Sequence, residues 1–456
     1  MLSAGKGFSG ETAEGWPHYG GSLGGDRYVA PSGITPESVE RLARAWVYRT
    51  GDATDGRGEP SKFRATPILV GGKLIASTGF NRVFAVDAAT GTELWTFDPK
   101  VDRPDRFSEP FTSRGVSAWQ GAAADTGPCR ARVFLGTLDA RLFALDADTG
   151  VPCADFGEDG VVDLSAGIPR YYKHDYSVTS PTTVVGDLVI VGSAVGDNGA
   201  ADLAPGVVRA FDVRDGSLVW AWDPVPRSED HPGADSWAKV RDNRTGGANV
   251  WSVMSADPAR DLVFLPTTWG SMAFDHGSRI GYLGVARLPT LVKLIPREQF
   301  RAAAREGRLN GKSAQHTAQD GTPYGMARTE LVHNDLPCLE DAWSTLVAVD
   351  LDEGKVLWER PVGIYRSGGP MVTEGGVVFL PTTSDRKIRA FHGVDGNELW
   401  SAALPAGVHS TPMGYRHDGT DYVVVTAGGS LAAGRGRGDY VIAFRLETDA
   451  ASDASL

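Results

Sequence analysis

The sequence predicts an all-β fold: a β-propeller of four-stranded blades, fewer than eight in number and six when the five visible hairpin signatures are joined by one blade from the irregular middle. Three observations lead there. The 456 residues include 57 Gly, 27 Pro and 12 Trp, a composition suited to many short strands joined by tight turns and poor for long helices. A hairpin signature recurs along the chain, and an apolar strand near each end offers a way to close the array.

The signature is an apolar alternation ending in Asp, a Gly four residues later and often a Trp four residues after that. It reads Phe84-Ala85-Val86-Asp87 with Gly91 and Trp95, Arg209-Ala210-Phe211-Asp212 with Gly216 and Trp220, and Val347-Ala348-Val349-Asp350 with Gly354 and Trp358. Phe143-Ala144-Leu145-Asp146 with Gly150 lacks the Trp, and Arg389-Ala390-Phe391-His392 with Gly396 and Trp400 has His for Asp. Alternation makes one strand, the Asp side chain caps the turn, Gly takes the left-handed backbone, and Trp opens the return strand. Upstream of most copies lies a second hairpin, such as that around Ile68-Leu69-Val70-Gly71-Gly72-Lys73-Leu74-Ile75, so each unit holds four strands. The outer-strand Trp residues are expected to pack between neighbouring blades.

In chain order, residues 1–44 form an N-terminal extension with a short helix beginning at Thr35-Pro36-Glu37. The strand Ala45-Trp46-Val47-Tyr48 is expected to pair with the terminal Asp439-Tyr440-Val441-Ile442-Ala443-Phe444, which closes the ring and removes an exposed edge. Between Gly216 and Gly354 the full signature is missing over a length that suits two or three blades. Two tandem half-blades are expected there, Trp251-Ser252-Val253-Met254 with Asp257 and Trp269-Gly270-Ser271-Met272 with Asp275. Residues 296–309, opening on Pro296 and rich in helix formers, are expected as an inserted surface helix, and the whole of 1–456 as one domain.

Composition also excludes. With 45 Lys and Arg against 57 Asp and Glu, the net charge of -12 repels a phosphate backbone, so nucleic acid is not an expected partner. No apolar run suits a membrane span and the N-terminus has no apolar signal core, so the chain reads as soluble, either cytoplasmic or exported after loss of a signal. Cys129, Cys153 and Cys338 are too few for a disulfide scaffold: a Cys129–Cys153 bridge and three buried free thiols both remain open. No Cys-x-x-Cys-His haem motif and no helical His pair for zinc occurs.

Several segments resemble the quinoprotein dehydrogenases of the glucose and quinate type, which use pyrroloquinoline quinone (PQQ). They include Trp16-Pro17-His18-Tyr19-Gly20-Gly21, Ser113-Arg114-Gly115-Val116-Ser117, Thr179-Ser180-Pro181, Gly368-Gly369-Pro370-Met371-Val372 and Thr411-Pro412-Met413. The resemblance implies a propeller whose central funnel holds PQQ beside a calcium ion. It implies that Trp251 stacks on the quinone, that Arg114 contacts the quinone or its carboxylates, that Thr179 and Ser180 offer hydroxyls, and that Trp343 lies near the cofactor. Asp197 and Asn198 then stand in a loop at the funnel mouth as oxygen ligands for a hard cation.

The sequence also departs from that pattern. Where the family continues from Pro-Thr-Gly-Asn, this chain reads Leu265-Pro266-Thr267-Thr268-Trp269, and a long block that normally carries the catalytic Asp is absent. Leu331-Val332-His333-Asn334-Asp335-Leu336 has a similar order of residues, although its downstream residues, Pro337-Cys338 and then Trp343-Ser344-Thr345-Leu346, match a later loop. Asp335 is the candidate base if this loop folds over the funnel. The expected activity is oxidation of an alcohol or sugar hydroxyl with a separate electron acceptor. The alternatives are a repurposed propeller enzyme without quinone redox and a non-catalytic binding scaffold.

Overall fold

The computed structural model describes residues 13–54, 61–101, 111–122, 124–169, 175–196, 199–231, 233–237, 248–267, 271–309, 315–333, 336–339, 344–363, 368–428 and 437–448. Successive antiparallel strands form a series of meanders. Ile68–Val70, Lys73–Ser77, Val83–Asp87 and Glu93–Phe97 make the first four-stranded sheet. The second spans 117–163 and the third 183–222. The fourth is built from Met272–Asp275, Ile280–Ala286, Ser344–Asp350 and Lys355–Gly363, and the fifth spans 371–403. In the sixth, Met413–His417, Thr420–Ala427 and Tyr440–Leu446 are completed by Leu42–Arg49, with Trp46 opposite Ala443 and Val47 opposite Ile442. The end-to-end strand pairing expected from the sequence is therefore present.

The irregular middle holds less than the spacing suggested. Among the described residues one four-stranded sheet lies there, preceded by a two-stranded hairpin of Ser255–Asp257 and Leu262–Phe264. Residues 265–271 alone separate that hairpin from the fourth sheet, too few for an outer pair of strands and its turn. The second expected half-blade is the start of the fourth sheet, whose last two strands arrive only after an insertion. That insertion carries Thr290–Pro296, Gln315–Thr317 and Tyr324–Glu330 as a small sheet, together with the helix Arg297–Arg305. The helix is shorter than expected at its C-terminal end; Pro296 precedes it, and Phe300 and Ala303 form its buried face.

The Trp residues act as staples between sheets. Trp46, Trp95 and Trp358 are each 8% exposed and donate from Nε1 to the carbonyls of Ala88, Ala147 and Gly393 in the following sheet, at 3.1, 3.2 and 3.0 Å. Each indole lies flat on the turn Gly of that sheet: a methyl group at Gly91, Gly150 or Gly396 would stand 2.5, 2.4 or 2.7 Å from a ring carbon of Trp46, Trp95 or Trp358. The signature Gly thus serves the turn and clears a seat for the neighbour's indole.

The N-terminal segment runs along the free edges of several first strands. Carbonyls of Trp16, Leu23, Asp26, Arg27 and Val29 accept from the amides of Leu69, Ala256, Phe274, Val372 and Glu374. Trp16 is fully buried and donates to Tyr19 O. In the second sheet Cys129 and Cys153 are bridged, while Cys338 is free and exposed, so the reading of three buried thiols does not hold. The Cys129 amide also donates to Asp146 in the adjoining turn; burial pushes that carboxyl up, but this bond and those from Thr149 and Asp148 hold its pKa below the usual range. No helix among the described residues is long and apolar enough to cross a membrane.

Candidate functional site

The starts of the first strands meet one another, which makes these strands the inner ones. Thr66 N donates to Arg114 O, Arg114 N to Thr179 O, and Thr66 Oγ1 to Thr411 O. On the far side, a methyl group at Gly369 would lie 2.3 Å from both Ser271 Oγ and Thr411 Oγ1. Around Arg114 these segments begin with small or hydroxylated residues, which lets their backbones approach closely.

Arg114, Thr179, Ser180 and Trp251 come together in this convergence, although they are distant in sequence. The Arg114 guanidinium is buried and donates to the carbonyls of Thr179 and Trp251 at 3.1 and 3.4 Å. Its central carbon lies 5.1 Å from the Trp251 ring centroid, a cation–π distance. Thr179 Oγ1 donates to Trp251 O at 3.3 Å, and the indole remains partly exposed. Ser180 Oγ is buried and has no hydrogen-bond partner among the described residues. An orphaned hydroxyl beside a buried cation and an accessible indole is the donor set that a flat ring edged with oxygens would satisfy.

The other expected site residues, Asp197, Asn198, Asp335 and Trp343, lie outside the described residues. Ser344 and Thr345, which come directly after Trp343, have buried hydroxyls without a described partner. Sequence reasoning missed Tyr19 as a neighbour of the site: a methyl group at Gly115 would stand 3.2 Å from Tyr19 Cδ2, so the N-terminal segment braces the backbone next to Arg114. The Trp-Pro-His-Tyr order was a visible signal, but nothing local in it indicates a contact with residue 115.

Repeated four-stranded antiparallel sheets whose first strands meet at their starts define a propeller-type fold. Residues 16–268 and 267–423 match the family described as PQQ, glucose/ethanol/alcohol dehydrogenase, β-propeller domain. The chain belongs to that family of PQQ-dependent dehydrogenases. It is 27% identical to the quinate/shikimate dehydrogenase (quinone) of Acinetobacter baylyi over 643 aligned positions, covering 95% of this chain and 79% of the relative. It is 26% identical to the quinoprotein glucose dehydrogenase of Escherichia coli, with 95% and 79% covered. Among solved structures, the quinohemoprotein alcohol dehydrogenase of Comamonas testosteroni shares the fold at a TM-score of 0.71 and 19% identity, with 95% of this chain and 80% of that one covered. A europium-containing methanol dehydrogenase shares it at 0.70 and 17%, with 95% and 98% covered. The alignment is longer than the 456-residue chain, and the family match divides at residues 267–268, between the two-stranded hairpin and the fourth sheet.

Proposed function

We propose that this chain binds PQQ at the inner-strand convergence and oxidises an alcohol or sugar hydroxyl, passing electrons to a separate acceptor. The observation that carries the reading is the Arg114–Trp251–Ser180 cluster, in which a buried hydroxyl lacks a partner that a polar ring would supply. Trp251 offers the stacking surface, Arg114 the positive charge for the cofactor's carboxylates or quinone oxygens, and Ser180 and Thr179 the hydroxyl donors. Asp197 and Asn198 are proposed as oxygen ligands for Ca2+, and Asp335 as the carboxylate that takes the proton from the substrate hydroxyl. PQQ, when bound, supplies the acceptor for the hydride equivalent. The six sheets and the hairpin are proposed to form one closed ring and one domain, with the insertion after Ala286 reaching through Asp320 to the loop at Gly199 and Ala201.

The test is PQQ binding in the presence of calcium, followed by dye-linked oxidation of sugars, polyols and simple alcohols. Binding is expected to fall at least about tenfold in Trp251→Ala and Arg114→Ala, since each removes a contact on the scale of a cation–π or charged hydrogen bond. Asp335→Ala is expected to bind PQQ normally and lose about a hundred- to ten-thousand-fold in rate. The break in the family match at residues 267–268 favours a second reading, a repurposed or binding-only propeller. Unaltered PQQ binding with no turnover on any hydroxyl substrate supports that reading, and absence of PQQ binding removes the first.

A further inference from the structure

The insertion within the fourth sheet stands at the site end of the molecule. Arg114, Thr179 and Trp251 mark that end, because their segments lead into first strands at Ser117–Gln120, Thr183–Val185 and Ser255–Asp257. In the third sheet Thr183 lies opposite Ile190, so the loop that follows Val191 leaves at the end where the first strand begins. In the fourth sheet Met272 lies opposite Leu283 and Ala286 opposite Ser344, so the insertion leaves and returns at that same end.

The two elements are joined. Asp320 O accepts from Ala201 N at 2.7 Å and Asp320 N donates to Gly199 O at 2.8 Å, a parallel bridge between the insertion and the third-sheet loop. Arg297, the first residue of the inserted helix, shapes the turn that presents Asp320. Its side chain is 14% exposed, and its guanidinium donates to the carbonyls of Ala318, Gln319, Thr322 and Tyr324 and to the Asp320 carboxylate. Carbonyls and a carboxylate that face one centre repel one another unless a cation lies between them. The loop then passes the contact inward. Its Ala194-Val195 strand pairs with Tyr176-Ser177, which lead to Thr179. At its two roots, a methyl group at Gly192 would stand 2.1 Å from Val250 O and one at Gly206 2.2 Å from Ala248 O, so its backbone lies directly on the segment that carries Trp251.

We infer that the insertion is a strut that holds the Trp251 indole and the Thr179 hydroxyl in place for the bound ring, with Arg297 as its positioning residue. This rests on the reading of the site as a PQQ site. A stacking surface contributes most to affinity when it is ordered before the ligand arrives. Among the described residues the hairpin that follows Trp251 has two strands, whereas the sheets on either side have four, and a lone pair of strands supplies little order of its own. The strut crosses from the fourth sheet to the third, one on each side of that hairpin, and supplies the order from outside it.

Fluorine NMR of the fluorotryptophan-labelled full chain tests the inference, with the Trp251 line assigned by its loss in Trp251→Phe. Two variants break the joint from opposite sides: Arg297→Ala releases the turn, and Ala201→Pro removes the amide that donates to Asp320. Each is expected to shift or broaden the Trp251 line, to leave the line of Trp95 unchanged, and to weaken PQQ binding about five- to tenfold. The double variant should cost no more than either single one, since both act on one joint. Arg308→Ala, at an exposed ion pair with Glu306, should change neither the line nor the binding. Circular dichroism reports the fold of each variant, and Ala201→Pro, which leaves the Arg297 side chain intact, carries the test where Arg297→Ala loses the β signal. A Trp251 line unmoved by either variant, effects that add in the double variant, or the same changes in Arg308→Ala overturn the inference. A parent that does not bind PQQ, with the Trp251 line still moved by both variants, overturns the reading of the site and leaves the strut standing.

Discussion

Arg114 and His18 show two ways a polar side chain is held inside this molecule. Arg114 donates to two backbone carbonyls and lies over an indole, and these contacts stabilise its charge. His18 lies in the turn after Trp16, and burial holds its pKa down to about 4 from the ordinary 6.5. The unfolded imidazole takes a proton as pH falls through 6.5, whereas the folded one resists until about 4. Stability is therefore complete above pH 6.5 and declines between pH 6.5 and 4, by about 3 kcal/mol at most. His18→Gln should flatten that window in urea titrations at a series of pH values. The depressed Asp146 carboxyl acts lower, since its contribution is present above the unfolded carboxylate range and is lost as pH falls through it. A decline confined to pH below 4 would show that His18 is not the group responsible.

At the scale of the element, the hairpin signature is a joint as well as a turn. Gly150→Ala puts a methyl group 2.4 Å from the Trp95 ring in a backbone of φ +71°, so it should cost about 2–4 kcal/mol, the sum of overpacking and left-handed strain. Gly419, also at positive φ but with open space around it, should lose only about 1–2 kcal/mol on the same change. Chemical denaturation of the two variants distinguishes them. The Cys129–Cys153 bridge closes a separation of 24 residues, and its removal in Cys129→Ser/Cys153→Ser should cost about 3 kcal/mol, matched by adding reductant to the parent. These units were legible in the sequence because each is local: Asp, Gly and Trp at fixed spacing specify one hairpin and its neighbour contact. The hairpin at 255–264 was legible as a half-blade around Trp251–Met254 and Asp257, but the long insertion inside the fourth sheet was not, because the signature marks only outer strands and does not say where their inner partners lie. The Arg114–Trp251 contact joins residues 137 apart and was legible only through resemblance, since no local pattern fixes which inner strands share an axis.

For the whole molecule, the question is what keeps separate meanders in register around an axis. Two devices act, and both use the N-terminal region. Leu42–Arg49 supplies the outer strand of the last sheet, and its Trp46 staples that sheet to the first. The preceding segment crosses the free edges of five inner-strand positions, satisfying amides that a sheet edge otherwise leaves open, and buries Trp16 completely. The second device is separable from the first, because deleting residues 1–36 leaves Leu42–Arg49 in place. The shortened chain should keep its far-ultraviolet β signal, since no strand of the four-stranded meanders is removed. It should nevertheless melt several degrees lower: emptying the Trp16 site alone is worth about 3–5 kcal/mol, and the uncovered amides add to that. Its PQQ affinity should also fall, because Tyr19 no longer braces Gly115 beside Arg114. Deleting residues 1–50 removes both devices and should abolish the cooperative transition. An equal melting temperature for the parent and the 1–36 deletion would assign ring integrity to the staples and the closing strand alone.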